Sequence, residues 1–596
     1  MEEIIETDVL VIGAGIAGCR AAIEARDLNA KVVIVTKGIF GKDCAATWMA
    51  CLGYQCWGIH PNDTLDAHVY DTLRYGWFLN NQENAYAFLA QIPNTIRDLL
   101  GWGLRFKMVG SQLLTMRQQG CSIQEGRSVT PIRGEIGRNL ASTLPILVKA
   151  KKINIVEDTF ITDLLTKKGA VVGALGINIR TGEFRIFVSK STILATGGYE
   201  GLYRNVTSSP QLTGDGQAMA IRAGADMVDF EFNQLIPTAV WPPTLAGERL
   251  PYSLLSSWEA RLYNNEAERF MAKWDHWSME RATRAMISRA ILHEIEAGRG
   301  SSHGGVYCSV SHLSEITFRQ KIKDDRVRIF SRAKKSGVDL HRDYVETACS
   351  VHYCQGGCNV NTKCETDLVG LYAIGEVASG SKDGADRMES NSLPYSMAMG
   401  ILGGREAAAR SKTAPTPELD YSQLHKFERR AHASLEREGG LSVFEAKFEL
   451  QGLATRGTAG LRTETILKNF LEKIDRFKKD LVPKLCTFNK SRTFNFEWID
   501  ILQFENLLLI AECVASNALM REESRGSHDR IDFPELRSDW FKNIHLKKMN
   551  DELKLRTSDV DFVYWTPEEG SLGEPWKKGI QVREYKGWRA KPLCRI

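Results

Sequence analysis

The chain has 596 residues, of which 43% are hydrophobic and 25% are charged, so it can bury a large core and form several domains. Lysine and arginine total 77 against 73 aspartate and glutamate residues, a net charge of +4, which provides no field that would attract nucleic acid or an anionic membrane. The composition therefore excludes a disordered tail and a small peptide module, and we expect no nucleic-acid partner.

The N-terminus is acidic and leads directly into an apolar segment, so we expect no secretory signal and predict a cytoplasmic location. No run reaches the roughly 20 uncharged apolar residues of a membrane-spanning helix. Even the stretch from Leu507 to Met520 is interrupted by Glu512. Any link to a membrane is therefore expected to pass through a partner.

A strand, a turn and a helix are predicted at the start of the chain. Apolar segments from Asp8 to Ile12 and from Lys31 to Val35 predict two strands. Between them, an alanine-rich stretch that favours a helix follows the sequence Gly13-Ala14-Gly15-Ile16-Ala17-Gly18. This β-turn-α-β order is the context that a dinucleotide-binding glycine motif requires.

Each glycine of this motif has a physical role. Gly13 permits the tight turn, Gly15 lets the backbone approach a pyrophosphate, and Gly18 allows the helix to pack closely on the strand. Thr36 and Lys37 stand where an acidic residue usually binds the adenosine ribose. A hydroxyl can still make that hydrogen bond, although more weakly.

Two further strand-like segments lead into glycines. Ser191 to Ala195 is followed by Thr196-Gly197-Gly198, and Gly370 to Ile374 is followed by Gly375-Glu376. The sequence between them is irregular and rich in aromatic residues. We therefore predict an inserted domain between two parts of one nucleotide-binding sheet.

Six short motifs follow one another along the chain: Val11 to Gly18, Ile193 to Tyr199, Thr213 to Gly216, His352 to Gly357, Gly370 to Glu376, and Asn391 to Leu393. In this order they resemble the flavoprotein subunit of fumarate reductase and succinate dehydrogenase. The segment from Arg521 to His528 extends the resemblance to nearly the whole chain. The resemblance implies bound FAD and an FAD-dependent oxidoreductase.

The predicted fold class is α/β. A Rossmann-like FAD-binding domain of the glutathione-reductase type is interrupted by an α+β capping domain and is followed by a helical domain and a small C-terminal extension. Apolar residues at helical spacing from Leu461 to Leu481 and from Trp498 to Glu522 predict the helical domain. The predicted bounds are 1–228 and 346–415 for the FAD-binding domain, 229–345 for the capping domain, 416–545 for the helical domain and 546–596 for the extension.

The motifs and the resemblance together predict the residues that hold FAD: Gly13, Gly15, Ala17, Gly18, Thr36, Lys37, Cys44, Thr47, Ala195, Thr196, Gly197, Gly198, Asp215, Glu376, Arg387, Ser390, Asn391, Ser392 and Leu393. Respiratory members of the family commonly attach FAD covalently to a histidine after the second strand. The corresponding segment, Gly41 to Met49, contains no histidine. We therefore predict non-covalent FAD, with a thiol link at Cys44 as the alternative.

The resemblance also implies the reaction and its residues. A hydride passes between flavin N5 and a carbon next to a carboxylate, and an arginine moves a proton on the neighbouring carbon. Arg284 matches that arginine, which can also stabilise developing negative charge. His352 and Arg387 match the residues that hold the substrate carboxylate, and such a pair of donors suits a small anion.

The substrate region departs from the family at three places. Ala285 stands where an acidic residue usually follows the proton-transferring arginine, and Phe232 to Thr238 replaces a Phe-His-Pro-Thr segment. A Thr-Glu pair is absent from Pro251 to Glu259. Three aromatic residues are expected to line the pocket or to pack in the core: Trp241, Tyr252 and Trp258. These differences favour a larger, flatter or less charged substrate than fumarate.

No metal site is predicted. Cys354, Cys358 and Cys364 lie near His352, but their spacing matches no common zinc or iron-sulfur arrangement. Small buried thiols are the simpler interpretation of these residues.

Electrons must therefore come from, or go to, another molecule, and the resemblance implies an iron-sulfur subunit. Our first hypothesis is hydride exchange with a carbon-carbon bond next to a carboxylate or thioester. Three alternatives stay open: a self-contained oxidase resembling L-aspartate oxidase, sulfur chemistry of the adenylylsulfate reductase type, and an electron-relay subunit whose substrate pocket has decayed.

Overall fold

A computed structural model describes residues 3–43, 45–50, 53–240, 250, 252–256, 258–325 and 328–567. The part before the capping domain contains β1 Glu3–Ile12, α1 Ile16–Asp27, β2 Val32–Val35, α2 Ala45–Met49, β3 Tyr54–Gln55, α3 Leu65–Tyr75, α4 Gln82–Ala90, α5 Ile92–Gly101, β4 Met108–Val109, β5 Gln112–Leu113, β6 Thr115–Met116, β7 Ser128–Val129, α6 Ile136–Ala150, β8 Asn154–Val156, β9 Thr159–Lys167, β10 Ala170–Asn178, β11 Phe184–Leu194, α7 Asp215–Ala223 and β12 Met227–Val228.

The capping region contains β13 Asn233–Val240, α8 Ser253–Ser256, β14 Arg261–Tyr263, α9 Met271–Trp274, α10 Arg284–Glu296, β15 Val306–Ser309, α11 Glu315–Asp325, α12 Arg328–Lys335 and β16 Val345–Cys354. The chain then forms β17 Gly357–Cys358, β18 Leu371–Ala373, α13 Ser392–Ser411, α14 Tyr421–Glu436, α15 Val443–Gly457, α16 Glu464–Arg476, α17 Phe496–Met520, β19 Lys542–Met549 and β20 Glu552–Asp559.

A seven-stranded sheet organises the FAD-binding part. Its strand order is β8-β2-β1-β11-β10-β9, and β18 also pairs with β11. The strands β8, β2, β1, β11 and β18 are parallel to one another, whereas β10 runs antiparallel to both β11 and β9. β1 is apolar and buried at its C-terminal end because helices cover such parallel strands on both faces. Its C-terminal end points at the glycine turn.

Small residues bring α1 and α13 into close contact over this sheet. A Cβ atom added at Gly400 would lie 3.0 Å from the backbone oxygen of Ala17, and one at Gly404 would lie 2.6 Å from that of Ala21. Larger side chains at these two positions would push the helices apart. The small residues of both helices therefore allow α13 to pack closely on α1, and this packing holds in place the helix that begins at the cofactor turn.

The capping domain has its own four-stranded sheet, in the order β13-β16-β15-β14. β16 runs antiparallel to β13 and places Cys354 opposite Asn233. The predicted bound of the capping domain at residue 345 falls at the first residue of β16, although β16 itself pairs with β13 and β15 of the capping sheet. This strand therefore carries the chain from the cap back to the FAD-binding part.

The helical domain is formed around α17, whose apolar residues are mostly buried. Within the described residues, no helix has the length and apolar character needed to cross a membrane. After α17, the hairpin β19–β20 adds to β12 in a sheet of order β17-β12-β19-β20. The predicted boundary at residue 545 lies inside β19, so this hairpin packs on the FAD-binding part.

Candidate active site

A cavity of about 750 Å³ opens at the C-terminal ends of β1 and β2. Gly15 occupies the N-cap position of α1 and, having no side chain, leaves the N–H groups of the first turn uncapped. The positive end of a helix and its unsatisfied N–H groups favour a bound phosphate at such a position. The geometry matches the dinucleotide site that the sequence predicts.

Glycine is required at two positions of this turn, for different reasons. Gly13 has a φ of +111°, and a Cβ atom there would lie 2.3 Å from the backbone oxygen of Ala195. A Cβ atom at Gly15 would meet only Thr47 Oγ1, at 3.6 Å, so this glycine leaves space at the cavity wall. Gly18 does not line the cavity but packs against Gly13, as the motif predicts.

Buried polar atoms near the site have no partner among the described residues: Thr196 Oγ1, Gln217 Oε1, Ser390 Oγ and Arg387 Nε. A ligand rich in hydroxyl and phosphate groups would satisfy such atoms, because buried polar groups are normally hydrogen-bonded. The residues present therefore fit FAD.

The structure distributes the predicted cofactor residues between two adjoining cavities. The large cavity is lined by Gly13, Gly15, Ala17, Thr36, Lys37, Thr47, Ala195, Thr196, Gly197, Asp215 and Glu376. The smaller one, described below, is lined by Thr47, Glu376, Arg387, Ser390, Ser392 and Leu393.

Besides Gly18, two of the described residues that the sequence predicts, Asn391 and Gly198, line neither cavity. Asn391 is buried and forms hydrogen bonds with His68 Nε2 and Thr72 Oγ1 at 3.0 and 3.1 Å. Gly198 lies against the carboxyl group of Glu376. Cys44, the alternative attachment point, lies outside the described residues, so the mode of FAD attachment stays a prediction.

Sequence reasoning did not find Glu200, a fully buried carboxyl group that contacts Glu376. Burial, followed by the charge of Glu376, raises the pKa of Glu200 well above its usual range. Two carboxyl groups can share a hydrogen bond only when one carries a proton. Glu200 is therefore the protonated donor and Glu376 is the acceptor. The only signal in the sequence is an acidic residue two positions after Gly198.

This protonated group predicts a specific pH dependence of stability. In the unfolded chain Glu200 loses its proton above pH 4.5, whereas the folded protein retains it. Raising the pH above 4.5 therefore lowers the free energy of unfolding, by about 1.4 kcal/mol per pH unit for one proton, as long as the folded protein keeps that proton. We expect Glu200→Gln, which stays neutral, to gain stability relative to the wild type as the pH rises.

The measurement is denaturant unfolding of both proteins between pH 4.5 and pH 8. Glu83→Gln, which changes an exposed glutamate of α4, is the matched control and should follow the wild-type curve. Parallel curves for Glu200→Gln and the wild type would contradict a buried neutral carboxyl group.

A second cavity, of about 120 Å³, adjoins the first, and both are lined by Ile16, Thr47, Glu376 and Ser396. Arg284, His352 and Arg387 all line this smaller cavity. The structure thus brings the three predicted catalytic residues together, next to the cavity that fits the cofactor. Two of them come from the cap, on α10 and β16, and Arg387 precedes α13.

Arg284 is the first residue of α10, which Thr283 caps by accepting a hydrogen bond from the backbone of Met286. Its guanidinium group is buried and donates to Gln234 Oε1 at 3.0 Å. Glu389 Oε1 lies 3.3 Å from Arg284 Nη2. Burial alone would lower the pKa of Arg284, but Glu389 and the neighbouring tyrosines raise it above its usual value. This arginine is therefore a permanent positive charge.

Gln234, on β13, joins the two arginines of the pocket. Its Oε1 atom also accepts a hydrogen bond from Arg387 Nη2 at 2.9 Å, and its amide nitrogen donates to Asp386 Oδ1 at 2.6 Å. Burial raises the pKa of Asp386 to about 6, although Gln234 and both arginines oppose the rise. Gln234 was missed because the sequence shows only an amide within a strand.

The third predicted residue of the pocket, His352, is held in place by contacts of its imidazole ring. His352 lies on β16, and a 2.9 Å hydrogen bond joins its Nδ1 atom to Thr207 Oγ1. This contact orients the imidazole ring while the residue lines the pocket. Arg387 lies 4.4 Å below the centre of the Tyr353 ring, which holds its guanidinium plane.

The predicted aromatic residues have different environments. Tyr252 lines the small cavity, and its ring centre lies 4.8 Å from the guanidinium carbon of Arg284. Trp258 is buried in the core of the cap, where it packs edge-on against Phe318 with ring centres 5.8 Å apart. Trp241 lies outside the described residues.

Among the described residues, no group of three or more cysteine, histidine or acidic side chains is arranged to hold a metal ion. Cys354, Cys358 and Cys364 are each buried. Burial raises the pKa of Cys358 to about 12, so this side chain is a neutral thiol.

Comparison with known proteins agrees with this geometry. The family model for an FAD binding domain matches residues 8–393, and the model for the fumarate reductase flavoprotein C-terminus matches residues 447–572. A protein with this fold and site is an FAD-dependent oxidoreductase. The chain belongs to the fumarate reductase and succinate dehydrogenase flavoprotein family, which confirms the predicted family, cofactor and fold class.

Relatives cover nearly the full chain. One subunit of the fumarate reductase (CoM/CoB) of Methanothermobacter marburgensis is 34% identical over 92% of this chain and 98% of its own length. The structure of Escherichia coli quinol fumarate reductase superposes with a TM-score of 0.89 at 26% identity, covering 96% of this chain and 99% of that one. Adenylylsulfate reductase of Archaeoglobus fulgidus, at 20% identity and a TM-score of 0.77 over 95% and 97% of the two chains, shares the fold alone.

Proposed function

We propose that the small cavity binds a substrate with a carbon-carbon bond next to a carboxylate or thioester, which is oxidised or reduced at the cofactor. The observation that supports this proposal is that Arg284, His352 and Arg387 line one small cavity beside the FAD cavity. When bound, FAD accepts or donates the hydride of such a reaction.

In this proposal, the side chains of the pocket bind and polarise the substrate. Arg387 and His352 hold a carboxylate, because a guanidinium group and an imidazole N–H are suitable donors to its two oxygens. Arg284 is held by Gln234 and Glu389, so its positive charge is already oriented when the substrate enters. A fixed positive charge stabilises the negative charge that develops beside the carboxylate.

The test is anaerobic reoxidation of the reduced, FAD-loaded protein. Unsaturated mono- and dicarboxylic acids, their thioesters and adenylylsulfate are added separately, and flavin absorbance is followed. We expect at least one unsaturated acid or thioester to reoxidise the flavin. A stable sulfite adduct formed with adenylylsulfate, without a reaction with any unsaturated compound, would contradict the proposal.

We further propose that the electron partner is an iron-sulfur subunit. Similar relatives include two fumarate reductase chains that are each named as one subunit, so they are parts of larger enzymes. Anaerobic purification of the chain from its source should yield a second polypeptide that contains iron and acid-labile sulfide. Purification of the chain alone, together with direct reoxidation by oxygen at the rate of turnover, would support the self-contained oxidase instead.

A further inference from the structure

We propose that Glu389 acts as an internal negative charge of the substrate pocket and selects substrates with one carboxylate over dicarboxylates. This inference rests on the proposed function, because it concerns the same cavity. It assigns Glu389 as a specificity-determining residue and defines the substrate class as an unsaturated monocarboxylate, or a larger acid whose second end is uncharged.

The position of Glu389 is fixed by its backbone. The residue lines the small cavity with only 1% of its surface exposed. Its backbone oxygen accepts a hydrogen bond from Gln55 Nε2 at 3.0 Å, and the backbone nitrogen of Gln55 donates to the Ser390 oxygen at 3.4 Å. Ser390 has a φ of +62°, a backbone conformation that few side chains adopt without constraint. These backbone contacts fix the point from which the side chain of Glu389 enters the pocket.

Two donors surround the carboxylate. Arg284 Nη2 lies 3.3 Å from Oε1. When the amide of Gln118 is oriented with its nitrogen towards Glu389, this nitrogen donates to Oε2 at 2.9 Å. The positive charge of Arg284 is therefore balanced within the protein before any substrate binds.

The second arginine of the pocket forms no direct ion pair within the described part of the chain. Among the described residues, no carboxylate lies within ion-pair distance of Arg387, and its buried Nε atom has no hydrogen-bond partner there. Its other contacts are Gln234 Oε1 and the backbone oxygen of Met388. Together with His352, Arg387 provides a place for one substrate carboxylate.

Part of the remaining wall disfavours a second carboxylate. Its wall includes the side chains of Ile236, Tyr252 and Leu393, in addition to Glu389. The buried carboxyl group of Asp386, which Gln234 contacts, further reduces the positive potential of the two arginines. A second substrate carboxylate would lose its hydration and face a like charge, both of which are unfavourable in a buried site. A methyl or larger apolar group would meet apolar surface instead.

Fumarate and crotonate provide a matched test, since crotonate carries a methyl group where fumarate carries its second carboxylate. Binding of each acid to the oxidised, FAD-loaded protein is measured by calorimetry. We expect the wild type to bind crotonate at least tenfold more tightly than fumarate. Glu389→Gln, which removes the charge at nearly constant shape, should reduce that ratio at least tenfold.

Two further variants control for indirect effects. Glu389→Asp retains the charge and should keep the preference for crotonate, while Glu83→Gln on the exposed face of α4 should behave as the wild type. FAD content and melting temperature establish that each variant is folded. If Glu389→Gln fails to fold, Glu389→Ala, which also removes the charge, takes its place, and a wild type that prefers fumarate overturns the assignment in either case.

The two hypotheses fail in different ways. An unchanged fumarate-to-crotonate ratio in Glu389→Gln, or a wild type that prefers fumarate, would overturn the assignment of Glu389 while leaving the proposed function in place. If neither these acids nor their larger homologues and thioesters bind to the FAD-loaded wild type, the proposed function fails, and the role of Glu389 fails with it.

Discussion

Arg284→Ala is expected to lower kcat with any substrate of the bound flavin by about a thousandfold, while FAD stays bound. The change removes the one pocket charge that is held by both Gln234 and Glu389. It also leaves the carboxylate of Glu389 buried without its ionic partner, so the pocket becomes more negative. Stopped-flow reoxidation of the reduced variant measures the loss directly.

Arg281→Ala is the matched control for this experiment. Arg281 lies three residues earlier in the sequence, and 60% of its side chain is exposed. This variant should retain the wild-type rate. Undiminished electron transfer in Arg284→Ala would instead favour the alternative of an electron-relay subunit with a decayed pocket.

The second large effect concerns the glycine turn, where two single substitutions should separate folding from cofactor binding. A Cβ atom at Gly18 would lie 2.0 Å from the backbone oxygen of Gly13, which cannot move without distorting the turn. Gly18→Ala is therefore expected to lower the melting temperature of the apoprotein and to abolish FAD binding. Gly15→Ala meets no such collision, but its methyl group enters the cofactor cavity. It should leave apoprotein stability unchanged and weaken FAD binding at least tenfold.

Fluorescence titration with FAD and thermal unfolding of the apoprotein distinguish these effects. Gly101→Ala is a suitable control, because no atom lies within 4 Å of the added methyl group. Equal loss of apoprotein stability in Gly15→Ala and Gly18→Ala would show that Gly15 is needed for folding rather than for the approach of the cofactor.

Local patterns predicted the cofactor turn and much of the fold. The glycine motif was recognisable because its spacing follows directly from the geometry of a strand, a turn and a helix. The bounds of the domains were harder to predict, because β16 and β19 pair with strands that are distant in the sequence. Pairing of this kind leaves no periodic signal at the boundary itself.

The substrate pocket shows the same limit at the level of single side chains. Arg284, His352 and Arg387 could be named from motifs, but Glu389 and Gln234 became relevant only when the fold placed them on Arg284. The residues next to Arg284 in the sequence also indicated that its acidic partner was missing. The structure shows that a carboxylate reaches this arginine from another domain.

The division of the pocket between two domains has a mechanical consequence. Arg284 and His352 belong to the cap, whereas Glu389 and Arg387 belong to the FAD-binding part. If the cap swings outward to admit substrate or release product, the ion pair between Arg284 and Glu389 must separate in each cycle. Salt screens the buried ion pair little but stabilises the two charges once opening exposes them to water, so a higher ionic strength should then favour the open state.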